Sequence, residues 1–205
     1  MLVDLSHVIS DGVITHAGLP APSVSAHMNR EAGRYAEGTS FHIARIDMVA
    51  NTGTYVDSPF HRFAGGDDIA AIPLSRVADV PGVVVDGTML PIADLRGRAV
   101  LFRTGWSRHF GTERYRNGRH PFLTRDVAEA LVRAQPALVG IDSMNIDDTT
   151  DGERPVHTVL LRAGVPLVEH LANLDQLPMT GFRFFAAPAK FAGVGTFMVR
   201  AFAIV

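Results

Sequence analysis

Apolar runs separated by turn residues set the rhythm of the chain. Met1 to Ile9 alternates apolar and polar positions and predicts an opening strand, closed by Ser10-Asp11-Gly12. Residues 13 to 40 carry Gly18, Pro20, Pro22, Gly33 and Gly38 and little periodicity. An irregular segment of that length inside a domain reads as a functional flap or an arm that grips a second subunit. Its His16, His27 and Tyr35 read as flap or surface residues rather than metal ligands. A β-leaning run follows from Phe41 to Ala50. Val83 to Asp86 and Ala99 to Arg103 have the apolar density of buried strands. Thr124 is a natural cap for a helix from Arg125 to Ala134, whose stripe is Val127, Ala130, Leu131 and Ala134. Ala137 to Ile141 is another strand, ending at Asp142-Ser143. Pro155 opens a helix along Val156, Val159, Leu160 and Ala163 that Gly164 stops. Val165 to Val168 then reads as a strand with Glu169 at its end, and Phe182 to Ala187 and Phe197 to Val205 as two aromatic-rich strands. Strands outnumber helices and the order is mixed, so the expected fold is α/β with a mixed or barrel-like sheet, one domain over residues 1–205.

Composition narrows the chemistry. The 205 residues are 47% hydrophobic, enough for a sizeable core, and the net charge is −2 from 19 basic and 21 acidic residues. Such a balance, spread along the chain, gives no nucleic-acid surface and no polybasic membrane patch, so a small molecule or another protein is the expected partner. There is no cysteine, which removes disulfides, thiolate nucleophiles and zinc–thiolate sites. Any metal must use His, Asp, Glu or water. No stretch nears the roughly 18 apolar residues of a membrane span, and Met1 to His7 lacks a signal-peptide pattern, so a cytoplasmic protein is expected.

The residues that look chosen for chemistry lie between Asn51 and His61, N-T-G-T-Y-V-D-S-P-F-H. On an extended chain Asn51, Tyr55, Asp57 and His61 share a parity and can project together, although Gly53 and Pro59 can each shift the register. A surface Asp and His at an ordinary strand-to-loop junction fits the same stretch. A second pair is His157 and Glu169. Helix rise and strand return cover similar distances on either side of Gly164, so a tight reversal there would bring the two together, as a structural hydrogen bond or a metal pair. Trp106, the only tryptophan, stands at a strand end beside Gly105, where it could line a pocket and bind substrate or pack into the core. Gly193-Val194-Gly195 is not a dinucleotide fingerprint, and neither a phosphate loop nor a G-x-S-x-G elbow occurs.

Taken together, V-D-L-S-H at 3–7, G-T-Y-V-D-S-P-F-H at 53–61, F-R-T-G-W at 102–106, G-I-D-S at 140–143, the run from His157 to Pro178 and V-R-A-F-A near the end resemble the cyclase family, which includes kynurenine formamidases and isatin hydrolases. The resemblance implies a swivelling β/β/α domain assembled as a homodimer or higher homo-oligomer. The family pattern H-x-G-T-H-x-D-x-P-x-H carries two histidines and an aspartate that bind zinc or manganese, and a final histidine for proton transfer. Here Asp57, Pro59 and His61 match, His157 and Glu169 fall on the downstream ligands, and Asn51 and Tyr55 replace the two leading histidines. An amide oxygen is a weak ligand and a phenol coordinates well only when ionised, so the usual site is reduced. Asp57, His157 and Glu169 could still hold one divalent metal. The same groups could form a metal-free acid/base cluster for cyclisation, dehydration or isomerisation, with His61 as base and Tyr55 or Asn51 binding an oxyanion. A non-catalytic binding protein is the third reading. The metal reading implies hydrolysis of an amide, formamide or lactam-type bond in a small aromatic substrate, with His61 shuttling the proton; across the readings His61, Asp57 and Tyr55 are the candidate catalytic residues, and Asn51 and Trp106 the candidates to contact the substrate.

Overall fold

A computed structural model describes residues 1–31, 33–90, 94–116 and 119–205. The strands, in chain order, are β1 (Leu2–Asp4), β2 (Ser23–Met28), β3 (Ile43–Asp47), β4 (Tyr55–Asp57), β5 (Val80–Asp86), β6 (Ala99–Arg103), β7 (Leu138–Ile141), β8 (Leu167–Glu169), β9 (Thr180–Phe185), β10 (Thr196–Met198) and β11 (Phe202–Ile204). Four α-helices accompany them: α1 (Leu74–Val77), α2 (Glu113–Arg116), α3 (Arg125–Ala134) and α4 (Pro155–Arg162). Nine strands form one strongly curled, half-barrel sheet in the order β1-β11-β9-β5-β6-β7-β8-β4-β10. The centre, β5 to β8, is parallel, and every outer pairing is antiparallel. Parallel neighbours need crossovers, and α3 and α4 supply those from β6 to β7 and from β7 to β8.

Because side chains alternate across a strand, the central strands feed two cores. Val84, Leu101, Leu138 and Val168 pack on one face with Val56, Phe182 and Phe184. Val83, Val100, Phe102, Val139 and Leu167 pack on the other under Leu131, Val156 and Leu160 of the crossover helices. Each such side chain stabilises the fold by roughly 1.5–3 kcal/mol. Two helix starts follow local chemistry. Thr124 accepts the Val127 amide at 3.4 Å, and Pro155 stands at the first turn of α4.

The expected strands at 83–86, 99–103, 137–141 and 165–168 are present within a few residues, and helix α3 spans the predicted residues. Three expectations change. The opening strand is only Leu2–Asp4: the Leu5 amide still donates to Ala201 in register, but the Leu5 carbonyl accepts from the Ala172 amide and the Ala201 amide donates to Ser6 Oγ, which ends the ladder. The segment 13–40 is not wholly irregular, since β2 lies in it and pairs with β3 in a separate antiparallel sheet. The run from Phe197 to Val205 divides into β10 and β11, which pair at opposite ends of the main sheet.

Candidate active site

Strand register builds the floor of the site. On β4, Tyr55 lies opposite Glu169 of β8 and Asp57 lies opposite Thr196 of β10, while Val56 between them points into the core. Cross-strand neighbours touch directly. The Tyr55 hydroxyl donates to Glu169 Oε2, and the Thr196 hydroxyl donates to Asp57 Oδ1. Thr196 Oγ1 also lies 2.9 Å from His61 Nδ1, so one hydroxyl links the aspartate to the histidine. His61 ends the short turn Pro59–His61, which presses against Gly195; a Cβ on Gly195 would overlap the His61 backbone. The shared parity expected of Tyr55, Asp57 and His61 therefore serves one site, with strand geometry placing the first two and this turn placing the third.

Helix α4 brings His157 to the same floor. Its Nδ1 is 2.6 Å from Asp147 Oδ2, and the Asp147 carboxylate also accepts the Val156 amide at 2.7 Å and the His157 amide at 3.0 Å. Asp147 thus caps the helix and orients the imidazole in one arrangement. His157 Nε2 then faces Asp57 Oδ2 at 3.7 Å and Glu169 Oε1 at 3.8 Å. The reversal at Gly164, where φ is +71°, makes that approach possible. Glu169 Oε1 also accepts the Ile146 amide at 2.5 Å, and Asn145 Nδ2 reaches Oε2 at 3.5 Å.

The electrostatics describe a place for positive charge. Burial works against protonation of His157, yet Glu169, Asp147 and Asp57 outweigh it and push its pKa up to about 10. Burial raises the Glu169 carboxyl; His157 offsets part of that rise and the Asp57 charge adds to it. Burial also raises Tyr55 well above its ordinary value, reinforced by Glu169 and Asp57, so the phenol stays neutral and acts as a donor. Asp57 Oδ2 is buried with no hydrogen-bond partner, an arrangement that costs free energy unless a cation completes it.

A divalent metal ion fits this donor set. The Asp57 oxygen that lacks a hydrogen-bond partner, and Nε2 of a histidine anchored at Nδ1, once it releases its proton, are O and N ligands of the kinds such ions take. Ligand atoms of Asp57, His61 and His157 lie within 4.8 Å of one another. Glu169 stands beside His157, its oxygens already accepting from Tyr55, Asn145 and Ile146.

The floor opens into a cavity of about 290 Å³. Tyr55, His157 and Glu169 of the floor line it together with Asn51, His61, Arg62, Asn145 and Arg154. His16 and Leu19 of the flap complete it, so His16 belongs to the pocket rim, whereas His27 and Tyr35 are exposed elsewhere. Trp106 corrects an expectation. It is 9% exposed, packs with Tyr115 and Met144, and donates from Nε1 to the Tyr115 carbonyl, so the indole belongs to the core and does not line the cavity. Asp142 is likewise structural, accepting both amides of Thr104 and Gly105 and the Thr104 hydroxyl. The chain pattern gave no sign of Asn145, Asp147, Arg154 or Thr196, whose roles depend on a loop and on strand register.

A curled mixed sheet whose pocket floor combines carboxylates, imidazoles and a cation-ready gap defines a small-molecule enzyme fold with a metal-competent site. The family model described as "Putative cyclase" matches residues 3–148, and the chain belongs to the cyclase family. It is 25% identical over 207 residues to a kynurenine formamidase of Bacillus cytotoxicus, covering 97% of this chain and 95% of that protein. Isatin hydrolase A from Labrenzia aggregata, solved with benzyl benzoate, superposes with a TM-score of 0.84 at 25% identity, over 100% of this chain and 93% of the other. A protein from Bacillus stearothermophilus described as a predicted metal-dependent hydrolase gives a TM-score of 0.77 at 27% identity, over 99% and 97% of the two chains.

Proposed function

We propose that the protein hydrolyses an amide, formamide or lactam-type carbon–nitrogen bond in a small aromatic substrate, with one divalent metal held by Asp57, His157 and Glu169. The observation that carries this reading is the buried Oδ2 of Asp57, which has no hydrogen-bond partner and faces His157 Nε2 beside a second buried carboxylate. When bound, zinc or manganese supplies a Lewis acid and lowers the pKa of a water. His61 takes and returns the proton. Its Nδ1 is engaged by Thr196, which leaves Nε2 as the exchanging nitrogen. Glu169 serves as the third ligand rather than His61 because it is fully buried and needs a compensating charge, whereas the His61 side chain is 35% exposed.

Tyr55 and Asn51 take the places of the two leading family histidines. With its hydroxyl committed to Glu169, Tyr55 steadies a ligand, and this disfavours a free oxyanion donor in a metal-free mechanism. Asn51 remains a lining residue available to a substrate carbonyl. Hydrolysis of formanilide-type amides tests the proposal. Turnover that rises with added zinc or manganese and disappears with chelator is expected, whereas chelator-resistant activity would move the reading to metal-free acid–base chemistry.

We further propose a cytoplasmic homodimer. No helix among the described residues is long and apolar enough to cross a membrane. Support for the assembly comes from the β2–β3 pair, which exposes Val24, Ile43 and Ile46.

A further inference from the structure

Two guanidinium groups border the cavity beside the floor carboxylates. Arg154 adopts a left-handed backbone, with φ at 47°, immediately before Pro155. Its Nη1 donates 3.2 Å to Asn145 Oδ1, and Asn145 in turn reaches Glu169 at 3.5 Å, so one amide separates the guanidinium from the pocket floor. Arg62 lines the same cavity, held by a 3.3 Å bond from Nε to Thr158 Oγ1 and by packing over the Phe63 ring.

Among the described residues neither guanidinium has a carboxylate within the 4.0 Å of an ion pair, although acids are plentiful nearby. Each of those acids has other partners, and the Arg154 charge acts on Asp148 only beyond ion-pair distance. Asp148 accepts the Thr150 amide and hydroxyl, Asp151 accepts the Glu153 amide, and Glu153 pairs with Arg125 at 2.8 Å. The loop therefore delivers Arg154 to the cavity wall with its charge uncompensated by an ion pair.

We propose that the substrate is an anion: a small amide bearing a carboxylate that Arg154 and Arg62 bind while the scissile carbonyl faces Asp57, His157 and Glu169. This rests on the hydrolytic reading above and adds the substrate's charge to it. Arginine is suited to the task because its planar fork meets a carboxylate through paired hydrogen bonds. The two guanidinium groups hold the charged end of the ligand, which leaves its uncharged end to face the floor. Leu19 lines the same cavity and offers an apolar contact for a ring.

The test is a binding measurement and needs no turnover. N-acetylanthranilate and its neutral carboxamide, 2-acetamidobenzamide, have nearly the same shape and differ in charge. Calorimetric titration of the native protein should show the acid binding at least about ten-fold more tightly, with a preference that shrinks as salt is raised. In R62Q/R154Q the two probes should bind alike. R62Q alone changes an exposed side chain and should lower the preference at least about three-fold, which keeps the test intact if Arg154→Gln fails to fold. Equal binding of the two probes to the native protein, a preference that survives in the double variant, or no binding of the acid at millimolar concentration would each overturn the proposal. A protein that favours the acid yet hydrolyses no amide would retain this inference and lose the hydrolytic reading.

Discussion

At the scale of single residues the site is a set of side chains each held by a second one. Thr196 holds His61 and Asp57, Asp147 holds His157, and Tyr55 holds Glu169. The proposed roles separate on mutation. His61→Ala should lower kcat by about 10²–10⁴-fold and leave bound metal in place, because it removes a proton carrier and no ligand. Steady-state kinetics alongside metal analysis checks this, and loss of the metal in that variant would make His61 a ligand. Thr196→Val should lower kcat by a smaller factor, since the imidazole loses its partner and not its chemistry. The sequence marked Asp57 and His61 by their company in one short stretch, and the family pattern added His157 and Glu169. Thr196 was hidden because its link to Asp57 depends on which residue of β10 lies opposite β4, a register that no local signal specifies.

Among the elements, legibility followed locality. Strand β6 and helix α3 match their expected bounds because an unbroken apolar run and a capping threonine are signals contained within the element. Asp147 was not legible, since its loop returns to cap α4 through a contact unrelated to periodicity. The β-leaning run from Phe41 to Ala50 contains β3, but β2 and its pairing with β3 were missed for a different reason. All five residues of β3 and the first five of β2 are exposed, so neither strand shows the one-sided burial that an alternating pattern reports. A two-stranded sheet with both faces in water is marginal on its own. Its apolar side chains should find cover in the proposed dimer. Replacing Ile43 and Ile46 with Lys should convert the dimer to monomer in light scattering at matched concentration, with the circular dichroism of the main sheet preserved. An unchanged mass in that variant would remove the hairpin from the interface.

For the whole molecule, folding buries titratable groups whose charge it does not compensate, and this makes stability depend on pH. Burial holds the His7 pKa down at about 4, and His170 well below its ordinary value, His7 being stacked on Phe110 with its Nε2 unpartnered. The unfolded chain takes up a proton at His7 near pH 6.5 whereas the folded protein does so only near 4. Stability should therefore be lost as pH falls from about 6.5 to 4, with the His7 contribution levelling off below that. Urea midpoints at several pH values should show the decline, and His7→Phe, which keeps a ring against Phe110, should flatten it. The same slope in both proteins would assign the acid sensitivity to other groups.

The central claim is that buried carboxylates around His157 keep a place for one divalent ion after loss of the two leading family histidines. The most direct measurement is titration of metal-stripped protein with zinc or manganese, read by calorimetry and by elemental analysis after desalting. The account predicts one equivalent bound by the native protein and none by Asp57→Asn or His157→Ala. A native protein that retains no metal, or an Asp57→Asn variant that binds it as well as the native chain, would contradict it.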